Sequence, residues 1–308
     1  MAIRPPLALI AGPTASGKSA LALALAQRTG GVIVNADSAQ LYRDLPILSA
    51  APTAEDRARA EHRLYGIVDG AAACSAAEWA GMARAEIAAI HADGRLPILV
   101  GGTGLYLRTL IDGIAPVPPI DPAVRQQVRE ASVEANRESL VDKDPVAAGR
   151  LDPGDTARIA RALEVVLSSG RTLASWQQQR QGGIGDAIDL RPLLLLPPRE
   201  WLYERCDERF LMMIEQGAIE EVQQLLAREL SPDLPVMRAI GVRAIGAMLA
   251  GELGRDEAIA AGRQATRNYA KRQYTWFAHQ PPSDWPRFGE PLSPLTLDSA
   301  LALLGASE

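Results

Sequence analysis

The sequence predicts an α/β protein, in which helices flank a parallel sheet with a phosphate-binding P-loop, and which carries an all-helical insertion domain. Apolar strand-like runs alternate with helical segments over the first 120 residues, a pattern typical of a parallel sheet. The first strand–helix junction holds a phosphate-loop pattern, and residues 121–181 have helical composition without strand-like runs. We therefore predict a P-loop catalytic core at residues 1–120 and 190–308 and a helical insertion at 121–189.

The bulk composition excludes several classes of protein. The chain has 308 residues, is 47% hydrophobic and carries a formal net charge of -5, which suits a globular protein and argues against a nucleic-acid coat. Its two cysteines, Cys74 and Cys206, form neither a disulfide framework nor a metal pattern. There is no apolar run of about 18 residues, and the first strand follows the N-terminus too closely for a signal peptide. We expect a cytoplasmic monomer without membrane attachment.

Residues 12–19 read G-x-x-x-x-G-K-S, the pattern of a phosphate-binding loop. They follow the apolar run 7–11 and precede the helical run 20–28, so the N–H groups and dipole of a helix N-terminus can attract phosphate oxygens. Lys18 adds a positive charge, and the Ser19 hydroxyl is a candidate Mg²⁺ ligand. A chance glycine-rich turn is the alternative. The predicted phosphate-binding residues are Gly12, Pro13, Thr14, Ala15, Ser16, Gly17, Lys18 and Ser19.

Two further strand ends carry polar residues. Asp37 and Ser38 follow the apolar run 32–34, and a Gly-Gly-Thr-Gly segment that contains Thr103 follows the run 95–100. Ligands of open parallel sheets bind beyond the carboxyl ends of the strands, so Asp37 and Thr103 should face the same crevice as the phosphate loop. Two structural alternatives stay open: Asp37 as a helix N-cap or turn residue, and the glycine-rich segment as a plain tight turn.

Helices dominate the rest of the predicted secondary structure. Ser75 and Glu78 have the spacing of a capping box at the start of a helix at 75–91, and residues 116–119 form a proline-rich connector. A strand-like run at 191–196 returns the chain to the sheet. The other predicted elements are helices at 57–65, 105–111, 122–136, 155–168, 219–230, 236–249 and 263–277, and a short strand at 66–69.

Basic residues on two helical segments form candidate anion-binding faces. Arg205 and Arg209 lie at positions i and i+4, on one side of a helix. Arg263, Arg267 and Lys271 lie at i, i+4 and i+8 in a segment that has no acidic residue and interleaves aromatic side chains. Such a face suits RNA binding on an otherwise acidic protein. An ordinary amphipathic helix with aromatic core contacts is the alternative.

These residues favour group transfer. No strand-like run ends in the acidic pair of a water-activating ATPase, so a hydrolytic motor is disfavoured. Asp37 is placed to take a proton from an acceptor, and the phosphate loop is placed to hold a departing phosphate or pyrophosphate.

Five motifs, in the same order, resemble those of the tRNA dimethylallyltransferase family, also called the tRNA isopentenyltransferases. They are Gly-Pro-Thr-Ala-Ser-Gly-Lys-Ser at 12–19, Asp-Ser-Ala-Gln at 37–40, Gly-Gly-Thr-Gly-Leu-Tyr at 101–106, Arg-Ala-Leu-Glu-Val at 161–165 and Ala-Lys-Arg-Gln-x-Thr-Trp-Phe at 270–277. The resemblance covers almost the whole chain. It implies transfer of a dimethylallyl group from dimethylallyl diphosphate to N6 of the adenosine 3′ of the anticodon in tRNA, with Mg²⁺ and with release of pyrophosphate.

The resemblance implies which residues bind the donor. Lys18 and the N–H groups of the loop would hold the pyrophosphate together with Arg209 and Arg205. The hydroxyl groups of Thr14 and Ser19 would supply oxygen atoms at the donor site and hold the metal. An allylic diphosphate ionises readily when its leaving group is stabilised, so positive charge at the loop lowers the barrier.

The resemblance also implies how the RNA is bound. Asp37 would accept the N6 proton of an adenine extruded from its loop, and Thr103 would orient the base or the donor. The helical insertion would grip the anticodon stem-loop. The predicted tRNA-binding residues are Asp37, Ser38, Ala39, Gln40, Thr103, Arg125, Ala157, Arg158, Ile159, Ala160 and Arg161, together with the basic face Arg263, Arg267 and Lys271.

The sequence departs from the family pattern in three places. Residues 44–52 replace the usual Gly-Met-Asp-Ile-Gly-Thr-Ala-Lys-Pro, so Ala51 stands where a lysine is usual. Only His62 is present where the family has a His-His pair, and residues 240–242 read Ile-Gly-Val rather than Ile-Gly-Tyr. These changes bear on the RNA contacts near residues 44–63 and leave the phosphate loop and Asp37 intact.

Three rival functions are compatible with parts of the sequence. A small-molecule kinase would use the same loop with ATP and would use Asp37 as a base toward a hydroxyl. A prenyltransferase acting on free adenine nucleotide would not need the long helical insertion. An RNA-binding module with a vestigial loop would need no turnover at all.

Overall fold

The computed structural model describes residues 4–305 and divides the chain into two compact units. The first unit runs to Thr109 and resumes at Gly185, and the second is Leu110–Ile184. The second unit begins and ends earlier in the chain than the predicted insertion at 121–189. The physical reason is a pair of backbone hydrogen bonds between Ile114 and Gln181, each 3.0 Å long, which joins the two connecting segments within this unit.

Six parallel strands form one sheet in the first unit. They are β1 (Pro6–Ala11), β2 (Val32–Asn35), β3 (His62–Arg63), β4 (Pro97–Gly101), β5 (Asp189–Leu195) and β6 (Arg287–Phe288). Their order across the sheet is β3-β2-β4-β1-β5-β6. The central strands β1 and β4 are buried almost throughout, as expected for strands covered on both faces. The predicted parallel α/β core is confirmed.

Helices connect these strands and make up the second unit. Those among residues 4–305 are α1 (Lys18–Thr29), α2 (Ala54–Arg59), α3 (Ala76–Ala92), α4 (Gly104–Asp112), α5 (Pro122–Glu130), α6 (Val133–Lys143), α7 (Pro145–Arg150), α8 (Thr156–Ser169), α9 (Leu173–Gln177), α10 (Arg199–Glu215), α11 (Ala218–Leu226), α12 (Val242–Leu249), α13 (Arg255–His279) and α14 (Leu297–Ala302). None of the helices in this described range is both long enough and apolar enough to cross a membrane.

Two helices of the first unit form where the sequence predicts them. The alanine- and leucine-rich α1 buries Leu21 and Leu25 in the main core, and Gly30 follows it with a φ of 65°. At the start of α3, Ser75 Oγ accepts a hydrogen bond from Glu78 N at 3.2 Å. The Glu78 carboxylate accepts one from Ser75 N at 2.7 Å, so the predicted capping box is confirmed.

Trp79 on α3 anchors the end of β2. The side chain is fully buried, and its Nε1–H donates to the backbone oxygen of Asn35 at 3.0 Å. Its ring also stacks on Tyr106 of α4, with 4.5 Å between the ring centroids. Asn35 is the last residue of β2, so this packing fixes the point from which the chain continues to Asp37.

Two predictions between residues 57 and 69 are wrong. The predicted helix at 57–65 is replaced by α2, which ends at Arg59, and by the short strand β3. The predicted strand at 66–69 is reduced to a single bridge between Tyr42 and Val68. Strand β3 pairs with β2 and satisfies its edge backbone groups, which outweighs the local helical preference of the segment.

Two long predicted helices are interrupted in the structure. The predicted helix at 122–136 divides into α5 and α6 because Ser132 is extended, and its Oγ accepts a hydrogen bond from Ala135 N at 3.2 Å. The predicted helix at 236–249 divides into a 3₁₀ turn and α12, because Gly241 adopts a φ of 95°. A capping serine and a glycine each offer the backbone a conformation that ends a helix.

The second unit is built from helices α5 to α9 around its own apolar core. Val128, Leu140, Ile159 and Leu163 are buried in this core. Buried Asn136 donates its Nδ2–H to the backbone oxygen of Val128 at 2.7 Å, which satisfies two polar groups in the interior. Across residues 110–184, all of which the structure describes, there is no strand, and the only β-type pairing is the isolated bridge between Ile114 and Gln181.

Candidate active site

The phosphate loop connects β1 to α1 and bends where its glycines are placed. Gly12 has a φ of 153°, and a Cβ there would lie 2.4 Å from the backbone oxygen of Leu195, so only glycine fits. Gly17 caps α1 with a φ of 96°. Ala15 also has a positive φ, 63°, a strained conformation for a residue with a side chain. The loop therefore holds a conformation that the tertiary structure imposes, as is common at binding sites.

Lys18 is the cation of the loop. Its Nζ donates to the backbone oxygen of Pro13 at 2.6 Å. Burial lowers the pKa of Lys18 to about 8, and the nearby Arg209 charge acts in the same direction, while Asp37 opposes both. A Lys18 ammonium buried beside a second cation gains from an anionic ligand, which would replace lost hydration and offset the charge repulsion.

Asp37 is held by its neighbours at the end of β2. Asn35 Oδ1 accepts a hydrogen bond from Asp37 N at 2.7 Å, and Asn35 Nδ2 donates to Asp37 O at 3.0 Å. Asp37 Oδ1 accepts one from Ala39 N at 3.0 Å, at the start of a short 3₁₀ turn. The side chain therefore does cap a turn, as the structural alternative expected, and its carboxylate still lines the central cavity.

Thr103 lies beside the Asp37 segment because β2 and β4 are paired. Its Oγ1 accepts a hydrogen bond from Ser38 N at 3.0 Å and donates to Ser38 Oγ at 3.3 Å. At Gly101 a Cβ would lie 2.1 Å from the backbone oxygen of Ala36, so the glycine permits this close approach. The structure thus brings the two predicted strand ends into direct contact.

A cavity of about 360 Å³ lies at these strand ends within the first unit. Five of the twelve predicted donor and catalytic residues border it: Thr14, Lys18, Ser19, Asp37 and Arg209. Gln40, a predicted tRNA contact, borders it as well. Thr103 is not among the residues that border the cavity, but it contacts Ser38, which does. The predicted crevice therefore exists, and the phosphate loop and Asp37 face the same space.

Arg209 contributes a second cation to this cavity, and Arg205 does not reach it. Burial lowers the pKa of Arg209, and the nearby Asp37 carboxylate opposes that shift. Arginine keeps its charge under such a shift. Arg205 is exposed, and its guanidinium lies 5.1 Å from the ring of Trp201. The donor end of the cavity therefore combines Lys18 and Arg209, two half-buried cations.

The predicted basic face of α13 packs partly against α10. Arg267 Nη1 donates to both carboxylate oxygens of Asp207, one of them at 2.6 Å. Arg263 Nε donates to the backbone oxygen of the same residue at 3.4 Å. Lys271 is exposed. The three cations do share a helix face, and two of them contact Asp207, which connects this helix to the one that carries Arg209.

Sequence reasoning missed the inner face of α13. Tyr269 and Arg272 border the cavity, and Gln273 is buried beside the phosphate loop. Burial and the Asp37 charge raise the pKa of Tyr269. One signal was available: the Ala-Lys-Arg-Gln motif lies on this helix, and residues 269 and 273 lie one turn apart.

The predicted RNA-binding residues of the second unit lie on α5 and α8. Arg125, Arg158 and Arg161 are exposed, as is Ala157, and Ala160 is half-buried. Ile159 lies in the core of this unit and is 2% exposed, so its side chain stabilises α8 rather than meeting a ligand. The unit thus presents arginines from two neighbouring helices.

The site can hold Mg²⁺ through few protein ligands. No cluster of three or more histidine, cysteine, aspartate or glutamate side chains suited to a metal occurs among residues 4–305. Ser19 and Asp37 nevertheless present oxygens to one cavity. Ser16 Oγ is buried in the phosphate loop without a hydrogen-bond partner, as expected for a group that meets a phosphate oxygen. This donor set fits Mg²⁺, which keeps several waters and substrate phosphates as ligands.

The fold and the site define a P-loop protein built for group transfer. Lys18 of the phosphate loop and Arg209 of α10, two half-buried cations, share one cavity with the Asp37 side chain. A family model described as IPP transferase matches residues 40–280 of the chain.

Known proteins resemble this chain along most of its length. It is 61% identical over 289 residues to a tRNA dimethylallyltransferase of Erythrobacter litoralis, which covers 92% of this chain and 91% of that protein. It is 62% identical over 288 residues to a tRNA dimethylallyltransferase of Sphingopyxis alaskensis, with 93% and 94% covered. The chain therefore belongs to the tRNA dimethylallyltransferase family, and the resemblance seen in the five motifs is confirmed.

Solved structures share the fold. A tRNA isopentenylpyrophosphate transferase of Bacillus halodurans superposes with a TM-score of 0.69 at 30% identity, covering 98% of this chain and 97% of that chain. A eukaryotic dimethylallyltransferase acting on tRNA superposes with a TM-score of 0.77 at 28% identity, covering 88% of this chain and 69% of that chain.

Proposed function

We propose that this chain transfers a dimethylallyl group from dimethylallyl diphosphate to N6 of the adenosine 3′ of the anticodon in tRNA and releases pyrophosphate. The relatives that carry the tRNA dimethylallyltransferase name share about three-fifths of its residues, 61% and 62%. The single observation that carries the proposal is the shared cavity, where Lys18 of the phosphate loop and Arg209 of α10 face Asp37. We further propose that the protein acts as a monomer in the cytoplasm.

The phosphate loop and two cations bind the donor and stabilise its leaving group. Backbone N–H groups at the start of α1 face the diphosphate, as helix N-termini do in other anion sites. Lys18 and Arg209 add positive charge where negative charge develops as the bond from carbon to oxygen breaks. A Mg²⁺ held by Ser19 supplies further charge stabilisation when it is bound. Arg205, just outside, adds to the local positive field.

Asp37 accepts the proton that N6 must lose. The exocyclic amine of adenine is a weak nucleophile, and a carboxylate within hydrogen-bonding reach removes its proton as the new bond to carbon forms. Hydrogen bonds from Asn35 and Ala39 hold the segment in place, so the carboxylate is oriented before the substrate arrives. Thr103, which follows β4, positions the same segment through its hydrogen bonds with Ser38.

The target adenine must leave the base stack of the anticodon loop before it enters the cavity. A base within an anticodon loop can reach a closed pocket only when it is extruded, which costs a few kcal/mol of stacking. Gln40 donates to the backbone oxygens of Ser49 and Ala50 at 3.1 and 2.7 Å and so shapes this wall of the cavity. Ser38, Ala39 and Gln40 are therefore proposed to meet the RNA near the flipped adenosine.

The second unit supplies contacts to the anticodon stem-loop. The exposed guanidinium groups of Arg125, Arg158 and Arg161 are suited to bind phosphate oxygens of the RNA backbone. Contacts to phosphates generally orient a protein on a nucleic acid. Ala157 and Ala160 leave room for a close approach of the backbone to α8. Lys271, with Arg263 and Arg267 beside it, is proposed as a further contact from α13.

A direct assay tests the proposal. Purified protein is incubated with Mg²⁺, dimethylallyl diphosphate and an unmodified anticodon stem-loop. The RNA is then digested to nucleosides, whose masses are measured by mass spectrometry. We expect one adenosine to gain a dimethylallyl group. Parallel reactions offer free adenosine nucleotide as the acceptor, or ATP as the donor to hydroxyl compounds. Product only in the first parallel reaction would establish a free-nucleotide prenyltransferase, and product only in the second would establish a kinase.

A further inference from the structure

Gln273 is a buried polar side chain whose amide oxygen and amide nitrogen each make a hydrogen bond. It lies on α13, is 6% exposed, and accepts a hydrogen bond from Thr14 N to Oε1 at 2.8 Å. Its Nε2–H donates to the backbone oxygen of Gly102 at 2.8 Å. The orientation of the amide follows from its partners, because a backbone N–H only donates and a backbone carbonyl only accepts.

These two partners belong to the two functional turns of the sheet. Thr14 lies in the phosphate loop after β1, and Gly102 precedes Thr103 after β4. Strands β1 and β4 are paired as far as Ala11 and Gly101. Gln273 continues the connection beyond that point. It lies on α13, 171 residues after Gly102, the nearer of its two partners in the sequence. One amide therefore spans the donor side and the base side of the cavity.

Gly102 is shaped to receive this amide. A Cβ at this position would lie 2.2 Å from Gln273 Nε2 and 3.2 Å from the backbone oxygen of Gly12. Its neighbour Thr103 contacts Ser38, which adjoins Asp37. A shift of the Gly102 turn is thus transmitted to the Asp37 segment, and a shift of the Thr14 turn is transmitted to the phosphate loop.

We infer that Gln273 is a positioning residue that sets the distance between the phosphate loop and the Asp37 segment. The inference rests on the proposed function, since prenyl transfer requires the donor carbon and the deprotonated amine to align. A misplacement of about 1 Å costs on the order of 100-fold in such a reaction. Gln273 touches neither substrate in this role and acts through the two turns.

The substitution Gln273→Met tests the inference, because methionine keeps the volume and removes both hydrogen bonds. We expect kcat with a saturating anticodon stem-loop and donor to fall about 10- to 100-fold, since alignment is lost. We expect pyrophosphate affinity, measured by calorimetry, to fall several-fold. The KM for RNA should change less than twofold. The matched control is Gln224→Met, an exposed glutamine on α11, which should change none of these values.

Activity per folded molecule separates positioning from mere stability. A variant that melts earlier while keeping kcat within twofold of the original would overturn the inference. A wild-type protein that fails to prenylate RNA would instead overturn the proposed function. Even then, pyrophosphate affinity still tests whether Gln273 supports the phosphate loop, because that binding needs no acceptor.

A second variant covers the case in which Gln273→Met does not fold. Gly102→Ala keeps glutamine at position 273, but the added Cβ displaces the amide of Gln273 from its present position. This variant should therefore also lower kcat. When both variants fold, the double variant should lose less than the product of the two single losses, since both act on one contact. Fully multiplicative losses in this cycle, or an unchanged kcat for Gly102→Ala, would contradict the positioning role.

Discussion

At the scale of single residues, the chemistry depends on opposite charges that share one small space. Lys18 and Arg209 are half-buried cations, and Asp37 is a carboxylate close enough to shift the pKa of both. Each pKa is lowered mainly by burial and partly restored by Asp37. The two cations are therefore suited to bind an anion, and Asp37 is suited to take a proton beside it.

The Asp37 carboxylate is the first residue to test. Asp37→Ala should lower turnover by about 10²- to 10⁴-fold, the usual contribution of a general base. tRNA affinity should change little, because the variant removes one carboxylate and leaves the arginines in place. Single-turnover kinetics and filter binding measure the two quantities. Asp93→Asn, an exposed carboxylate at the end of α3, is the matched control. Undiminished prenylation by the Asp37 variant would refute the mechanism.

The lowered pKa of Lys18 predicts a pH dependence. Lys18 is charged below its pKa of about 8 and loses its charge as the pH rises through that value. The kcat/KM for dimethylallyl diphosphate reports the free enzyme, so it should fall above about pH 8. In Lys18→Arg the cation stays charged, so this fall should disappear even if the overall rate is lower. A variant that keeps the same alkaline limb would assign the titration to another group.

At the scale of elements, contacts from α3 and α4 hold the catalytic strand end. Trp79 donates to the last residue of β2 and stacks on Tyr106, so two helices support the start of the Asp37 segment. On the other side, the hydrogen bonds of Thr103 to Ser38 connect β4 to the same segment. The position of Asp37 is thus fixed by three elements beside its own strand.

Trp79→Phe tests this support. The change keeps an aromatic ring and leaves the buried backbone oxygen of Asn35 without its partner, which costs about 1–3 kcal/mol. We expect that loss in the free energy of unfolding from urea titration, together with a lower kcat. Trp285→Phe, at a partly exposed position, is the comparison and should change the free energy of unfolding by less than about 0.5 kcal/mol. Equal effects of both substitutions would argue against the anchoring role of Trp79.

Two elements also show how a local pattern can be overruled. The segment at 57–65 has helical composition, yet β3 forms within it because β2 needs a partner at its edge. The predicted basic face of α13 is formed, yet Asp207 on α10 engages two of its three cations. Periodicity identified the helix and its faces correctly but did not identify what would pack against them.

At the scale of the whole molecule, the chain divides its tasks between two units. The donor and base residues lie in the first unit, and the proposed stem-loop contacts Arg125, Arg158 and Arg161 lie in the second. Each unit has its own apolar core. Charge changes on the second unit should therefore alter RNA binding without altering donor binding.

The triple variant Arg125→Ala, Arg158→Ala and Arg161→Ala tests this division. Each lost phosphate contact should weaken tRNA binding and reduce the slope of log affinity against log salt by about 1. Pyrophosphate affinity should stay unchanged, because these residues are outside the cavity. Lys143→Ala, an exposed cation on α6 that is paired with Asp142, is the control for general charge. An unaltered salt slope in the triple variant would remove these arginines from the RNA site.

The sequence by itself determined the parallel core, the phosphate loop and the placement of Asp37 and Thr103 at strand ends that face one crevice. This was possible because these features are local: an apolar run, a short motif and a polar residue at the end of a strand. Parallel strands place their carboxyl ends at one edge, so adjacency of the motifs follows from the pattern.

Only the tertiary structure decided which distant side chains complete the site. Gln273 reaches Thr14 across 259 residues, and Arg267 meets Asp207 across 60. The burial that lowers the pKa of Lys18 and of Arg209 likewise comes from packing between elements. Such contacts depend on where whole helices lie against the sheet, and no local periodicity records that.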